Sequence, residues 1–82
     1  MEPYKNLEGR SAIVAYENGL GFIRVQFEGG TVYTYSYASA GIQNIEHMQE
    51  LALEGKGLGA YIFKTVGKSY ESKVVPPVES TL

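Results

Sequence analysis

The feature that most constrains this fold is a strict alternation of apolar and polar side chains between two glycine-containing turns. Ile23, Val25 and Phe27 alternate with Arg24 and Gln26. This two-residue period is typical of a strand that buries one face and leaves the other in water. The segment therefore predicts a half-buried β-strand with a hairpin at each end.

Two further strands are predicted beside this one. Residues 11–17 are rich in β-branched and aromatic side chains and are followed by Asn18-Gly19, a dipeptide that favours a tight hairpin turn. Residues 31–37 follow a glycine-rich turn at residues 28–30 and also favour a strand. Together the three strands predict an antiparallel β-meander.

After the third strand, the spacing of apolar residues lengthens to threes and fours, which is typical of amphipathic helices. Two α-helices are predicted, near residues 40–54 and 58–71, the first capped near Ser39 and ended by Gly55. The predicted fold class is α+β: a three-stranded antiparallel β-meander followed by two α-helices packed on one face.

The chain of 82 residues predicts one small domain with a segment on each side. Residues 11–71 form the predicted β-β-β-α-α domain. Residues 1–10 have no apolar period and are expected to be a flexible N-terminal arm. Residues 72–82 include two consecutive prolines, which do not continue a helix, and are expected to be an extended C-terminal tail.

Few residues suit catalysis or metal binding. The chain has no Cys and no Asp, and its single histidine, His47, lies on the predicted polar side of the first helix. Glu46, Glu50 and Glu54 follow one another at one-turn spacing, a pattern that favours a solvated helix face over an acid–base pair. We therefore expect no catalytic residues, no metal, no cofactor and no enzyme activity.

Tyr33, Tyr35 and Tyr37 alternate along the third predicted strand, which places their rings on one face. The turn before them decides which face this is. A three-residue loop pairs Val25 with Tyr33 and puts the rings in the core, and this register is favoured. A two-residue loop would turn the rings outward beside Arg24, where they would form a stacking platform for nucleic-acid bases.

Charge is unevenly distributed along the chain. The net charge is −2 and all acidic residues are Glu, but residues 55–82 carry four Lys against two Glu. An anionic partner is therefore expected to contact the C-terminal half, where Lys64 and Lys68 are predicted one turn apart on the second helix. The candidate nucleic-acid-binding residues combine the tyrosine strand with these and other cations: Arg24, Tyr33, Tyr35, Lys64, Lys68 and Lys73.

Two blocks of residues carry a family resemblance. The first is a strand–turn–strand pattern of apolar, glycine and tyrosine positions: Ile23, Val25, Phe27, Gly30, Tyr33 and Tyr35. The second combines a glycine with aromatic and apolar positions: Gly59, Tyr61, Ile62, Val66 and Tyr70. In this order the blocks resemble the KTSC domain, which is appended to some lysyl-tRNA synthetases and also stands alone in bacteria and phages. The chain departs from that family at Phe63, where the family tends to have Asn.

The resemblance to a synthetase-linked domain implies RNA binding. Together with the residues above, it predicts a small non-catalytic module that binds RNA or another nucleic acid through the Tyr-x-Tyr strand and the Lys-bearing second helix. The alternative is a protein-interaction module or inhibitor, such as a phage or mobile-element protein that binds a host factor, with residues 80–82 entering a partner's groove. No apolar run approaches the roughly 20 residues that span a bilayer. A cytoplasmic protein without a membrane or metal partner is therefore expected.

Overall fold

A computed structural model describes residues 1–77, which form an α+β fold with helices packed on one face of an antiparallel sheet. The five strands lie across the sheet in sequence order: β1 Glu2–Pro3, β2 Ile13–Gly19, β3 Phe22–Phe27, β4 Val32–Ser36 and β5 Ser72–Val74. The helices are α1 Tyr37–Ala40, α2 Ile42–Glu54 and α3 Leu58–Tyr61, which continues into a π-helical turn at Ile62–Val66. The α+β class is confirmed. The three-strand, two-helix order is incomplete, because each end of the described chain adds a strand.

The hairpin between β2 and β3 turns at Leu20 and Gly21, two residues later than the predicted Asn-Gly turn. Gly21 has a φ of +81°, a conformation that glycine adopts without steric cost. From α2, the side-chain amide of Gln49 donates hydrogen bonds to the carbonyls of Gly19 and Phe22, both at 2.9 Å. These bonds attach the end of the hairpin to α2, so a tertiary contact overrides the local turn preference.

The hairpin between β3 and β4 has the favoured three-residue loop. The Phe27 N–H donates to the Thr31 carbonyl at 2.9 Å, and Val25 lies opposite Tyr33. Gly30 in the loop has a φ of +95°. The register prediction is confirmed, and it places Tyr33 on the face of the sheet that the helices cover.

Strand β4 ends at Ser36, so Tyr37 does not join the predicted tyrosine stripe. The Ser36 side chain accepts a hydrogen bond from the Ser39 N–H at 3.1 Å, and the Ser39 hydroxyl accepts one from the Ser36 N–H at 3.0 Å. This reciprocal capping box begins α1 at Tyr37. The predicted cap near Ser39 is wrong for the longer helix, whose N-cap is Gly41.

The first predicted helix, near residues 40–54, corresponds to α2. Gly55 ends it with a φ of +83°, and its N–H donates to the Leu51 carbonyl at 2.9 Å. One side of the helix is buried against the sheet through Ile45, Met48 and Ala52. The three- and four-residue spacing of apolar positions therefore located this helix correctly.

The second predicted helix, near residues 58–71, is shorter than expected. After α3 and the π-helical turn, Gly67 adopts a φ of +44°, and its N–H donates to the Ile62 carbonyl five residues back. Lys68 lies beyond this end. Lys64 and Lys68 therefore do not share a helix face at one-turn spacing, as the sequence pattern had predicted.

Both ends of the described chain are attached to the domain. Residues 1–10, predicted as a flexible arm, contribute β1, which pairs with β2, and the buried side chain of Tyr4. The Tyr4 hydroxyl accepts a hydrogen bond from the Leu58 N–H at 3.3 Å. Within the predicted tail, residues 72–82, β5 pairs with β4. Residues 78–82, which include the Ser-Thr-Leu ending, lie outside the described residues.

The sheet and the helices share one hydrophobic core. Its largest fully buried side chains are Tyr35, Ile13, Ile23, Ile45, Met48, Leu58 and Val25. Burying each large apolar side chain contributes about 1.5–3 kcal/mol. Most of these residues come from β3, β4 and α2, so the core is centred where the sequence pattern is strongest.

Candidate functional site

The described residues form a cleft of about 1000 Å³. Its lining comes from four separate parts of the chain, within residues 4–12, 27–35, 56–63 and 67–73. Ligand sites in proteins are usually concave and lined mainly by apolar and aromatic side chains with a few polar groups. This cleft is therefore the candidate functional site.

Part of the lining is an aromatic wall, which consists of Phe27, Tyr33, Tyr35 and Tyr70. The ring centroid of Tyr33 lies 5.4 Å from that of Phe27 and 5.1 Å from that of Tyr70. The ring of Tyr35 lies 6.5 Å from Tyr33 and 6.2 Å from Tyr70. Edge-on and offset contacts of this kind stabilise aromatic clusters. The rings of the wall thus pack against one another.

Tyr35 is the most deeply buried member of the wall, with 1% of its surface exposed. Its hydroxyl donates a hydrogen bond to the Gly67 carbonyl at 2.9 Å, and this bond attaches the end of the π-helical turn to β4. Burial, with smaller contributions from Tyr33 and Tyr70, raises the pKa of Tyr35 to about 12. Tyr35 therefore belongs to the core and has almost no surface for a ligand.

The lining also contains four cations, Arg10, Lys56, Lys68 and Lys73, which together are called the cationic rim. All four side chains are exposed. Among residues 1–77, the one salt bridge joins Arg24 to Glu17, so no cation of the rim is paired with a carboxylate there. The cleft lining also contains two glutamates. Its formal charge is therefore +2 in a chain whose net charge is −2.

One rim cation also contacts the aromatic wall. The Lys73 ammonium lies 5.7 Å from the centroid of the Tyr33 ring, within the range of a cation–π interaction. Tyr33 itself is only partly buried. Wall and rim therefore meet at β4 and β5, where Tyr33 and Lys73 are paired residues of the two strands.

The cleft brings together four of the six predicted site residues: Tyr33, Tyr35, Lys68 and Lys73. It does not include Arg24, which alternates with buried neighbours and lies on the opposite face of the sheet, 3.4 Å from the Glu17 carboxylate. It also does not include Lys64, which is exposed on the π-helical turn.

The cleft residues that the sequence prediction missed include Arg10, Lys56, Phe63 and Tyr70. Arg10 lies in the segment predicted as a flexible arm, and Lys56 lies in the connection between α2 and α3. The sequence pattern indicated Tyr70, because it is the last residue of the second block that resembles the KTSC domain. Phe63 is the position at which the chain departs from the pattern that resembles the KTSC domain. It is 87% exposed.

The titratable residues of α2 lie outside the cleft. His47 is exposed, and its ring centroid lies 4.7 Å from that of Tyr61. Glu46 accepts a long hydrogen bond from the Tyr37 hydroxyl at 3.4 Å. Within residues 1–77, no group of three or more His or Glu side chains is placed to hold a metal ion, and no described helix has the length and apolar character needed to cross a membrane.

Comparison with protein-family models, with curated proteins and with solved structures finds no match to this chain. The resemblance to the KTSC domain therefore remains a prediction. The geometry and charge of the cleft are the observations that bear on its function.

Proposed function

We propose that this protein is a small non-catalytic binding module whose cleft binds single-stranded RNA or another single-stranded nucleic acid. The observation that supports this most directly is the cationic rim. An acidic chain places four cations without carboxylate partners in the described chain around one aromatic cleft. Charge complementarity then favours an anionic ligand at this surface.

The rim suits a polyphosphate backbone. Lys and Arg supply most of the affinity for nucleic acids by neutralising phosphates and releasing counterions. Lys68 and Lys73 follow the π-helical turn closely in sequence, while Arg10 and Lys56 reach the cleft from other segments. In this proposal the four cations hold phosphates, and the apolar lining between them accepts the bases.

The test is a comparison of two double variants with the same change in charge. A fluorescein-labelled 12-nucleotide RNA is titrated with the parent, with Lys68→Gln/Lys73→Gln, and with Arg24→Gln/Lys64→Gln, at about 50 and 150 mM salt. The first pair removes cations from the cleft, and the second removes cations outside it. We expect the first pair to reduce the salt slope by about 1.4 units, at about 0.7 per lost contact to a single strand. We expect the second pair to leave the slope near the parent value.

Two outcomes would contradict the proposal. If the parent does not bind labelled RNA or DNA at the lower salt concentration, the cleft is not a nucleic-acid site. If both double variants reduce the slope equally, binding follows net charge and does not depend on the cleft.

A protein-interaction module or inhibitor is the second candidate. It is favoured by Leu20 at the tip of the β2–β3 hairpin, whose side chain is fully exposed outside the cleft. Apolar side chains form the buried core of protein–protein interfaces, and the Leu20 side chain is available for such a contact. A pull-down from lysate with and without RNase separates the two candidates. A partner that survives RNase and is lost with Leu20→Ser supports a protein contact, whereas RNA lost with Lys68→Gln/Lys73→Gln supports the cleft.

A further inference from the structure

The cleft contains several aromatic rings, and most of them pack against one another. Tyr33 contacts the rings of Phe27, Tyr35 and Tyr70, and the Lys73 ammonium lies 5.7 Å from its ring centroid. A base that stacked on Tyr33 would have to displace these contacts. The Tyr-x-Tyr strand is therefore a poor stacking surface.

Phe63 carries the exposed aromatic ring of the cleft. It lines the cleft and is 87% exposed. Its position is nevertheless well anchored, because the π-helical turn that carries it is buried at both ends through Ile62 and Val66. Leaving a Phe side chain in water forgoes about 1.5–3 kcal/mol of burial free energy. Since Phe63 contributes so little to the core, its ring is available to a ligand.

We infer that Phe63 is the base-stacking residue of the cleft and that its ligand is an unpaired base within a single strand. This inference rests on the proposed function. In a duplex both faces of each base are covered by neighbouring bases, whereas an unpaired base exposes the face that stacking requires. The base stacks on Phe63, and the adjoining phosphates contact the cationic rim.

The size of the cleft agrees with a short strand. Its volume of about 1000 Å³ is at the upper end of the roughly 300–1,000 Å³ typical of small-molecule sites. A single base would fill only part of it. The lining includes four cations, Arg10, Lys56, Lys68 and Lys73, so more than one phosphate can be held.

The experiment replaces the ring and leaves charge unchanged. Phe63→Leu removes the aromatic face but keeps an apolar side chain, and Phe63→Tyr keeps the face. Tyr37→Leu is the control, since it removes a ring that is 38% exposed and lies outside the cleft. Each variant is titrated with a single-stranded 12-nucleotide DNA that contains 2-aminopurine, whose fluorescence is quenched on stacking, and with the same sequence as a duplex.

We expect Phe63→Leu to weaken single-strand binding by about 5- to 150-fold, the loss for one base–aromatic stack. The salt slope should stay at the parent value because no cation is removed. Phe63→Tyr and Tyr37→Leu should bind and quench like the parent. Duplex binding should be weak in all variants and insensitive to Phe63.

Parent-like affinity and quenching in Phe63→Leu would overturn the inference and leave the proposed function intact. Equal weakening of duplex and single strand in that variant would also overturn it, because a stacking contact with an unpaired base would not produce that result. If the parent binds neither these probes nor the labelled 12-nucleotide RNA at about 50 mM salt, the proposed function fails and the inference fails with it.

Discussion

The aromatic wall and Phe63 line the same cleft but differ in burial and in their contacts within the protein. Tyr35 in the wall is 1% exposed and hydrogen-bonded to Gly67, whereas Phe63 is 87% exposed. The contacts of Tyr35 are with other parts of the protein, and removing them should affect folding. Folding buries little of the Phe63 side chain, so replacing Phe63 should change binding and leave stability nearly unchanged. The stability of the fold and the proposed binding therefore depend on different rings.

The largest expected effect tests the wall. Tyr35→Ala should destabilise the domain by about 3–5 kcal/mol, because it removes a fully buried aromatic ring and leaves a cavity. A loss of this size could unfold a small domain at room temperature. Urea denaturation followed by circular dichroism measures it, with Tyr37→Ala at an exposed position as control. Equal midpoints for the parent and Tyr35→Ala would show that Tyr35 is not a core residue.

The next effect is a dependence of stability on alkaline pH. Tyr35 has a pKa of about 12 in the folded state against 10.0 ordinarily. Between these values, the unfolded chain releases the Tyr35 proton and the folded chain keeps it, so rising pH favours unfolding. The contribution is fully present below pH 10 and is lost towards pH 12, a total of about 2–3 kcal/mol.

The comparison variant for this effect is Tyr35→Phe. It should be less stable than the parent near pH 7 by about 1 kcal/mol, because it lacks the hydrogen bond to Gly67. Its denaturation midpoint should fall less than that of the parent between pH 9 and pH 11.5. Parallel pH profiles for the two proteins would mean that the Tyr35 phenol is not responsible.

A smaller effect tests the attachment of the N-terminal segment at the buried side of the cleft. Tyr4→Phe removes the hydroxyl that accepts the Leu58 N–H and should cost about 1 kcal/mol. Tyr16→Phe is the matched control, since Tyr16 is equally buried and its hydroxyl has no hydrogen-bond partner within residues 1–77. Denaturation midpoints that shift equally in the two variants would show that the bond to Leu58 does not stabilise the fold.

The smallest expected effect concerns the exposed ring of Phe63. Phe63→Leu should change the free energy of unfolding by less than about 0.5 kcal/mol, as is usual for an exposed side chain. The same urea series used for Tyr35→Ala measures this change. A loss of unfolding free energy comparable to that of Tyr35→Ala would remove the distinction between the aromatic wall and the exposed ring of Phe63.

Local patterns predicted the central elements well. The alternation through β3, the spacing along α2 and the helix end at Gly55 all depend on neighbouring residues, and each corresponds to an observed element. The three-residue loop before β4 was also favoured correctly, and it placed Tyr33 and Tyr35 on the covered face. Local patterns were wrong at the first hairpin, where bonds from Gln49 hold the turn two residues later than expected.

The sequence by itself determined the strand and helix periods, because side-chain alternation and backbone conformation depend on residues close along the chain. Only the tertiary structure decided which rings are buried, which cations share a cleft, and how the chain ends are attached. The hydrogen bond from Leu58 to Tyr4 joins residues 54 positions apart. Contacts of that range form only when the whole chain packs, so no local period predicts them. The candidate site is built from such contacts, and for that reason only the tertiary structure decided that Phe63 lines the cleft.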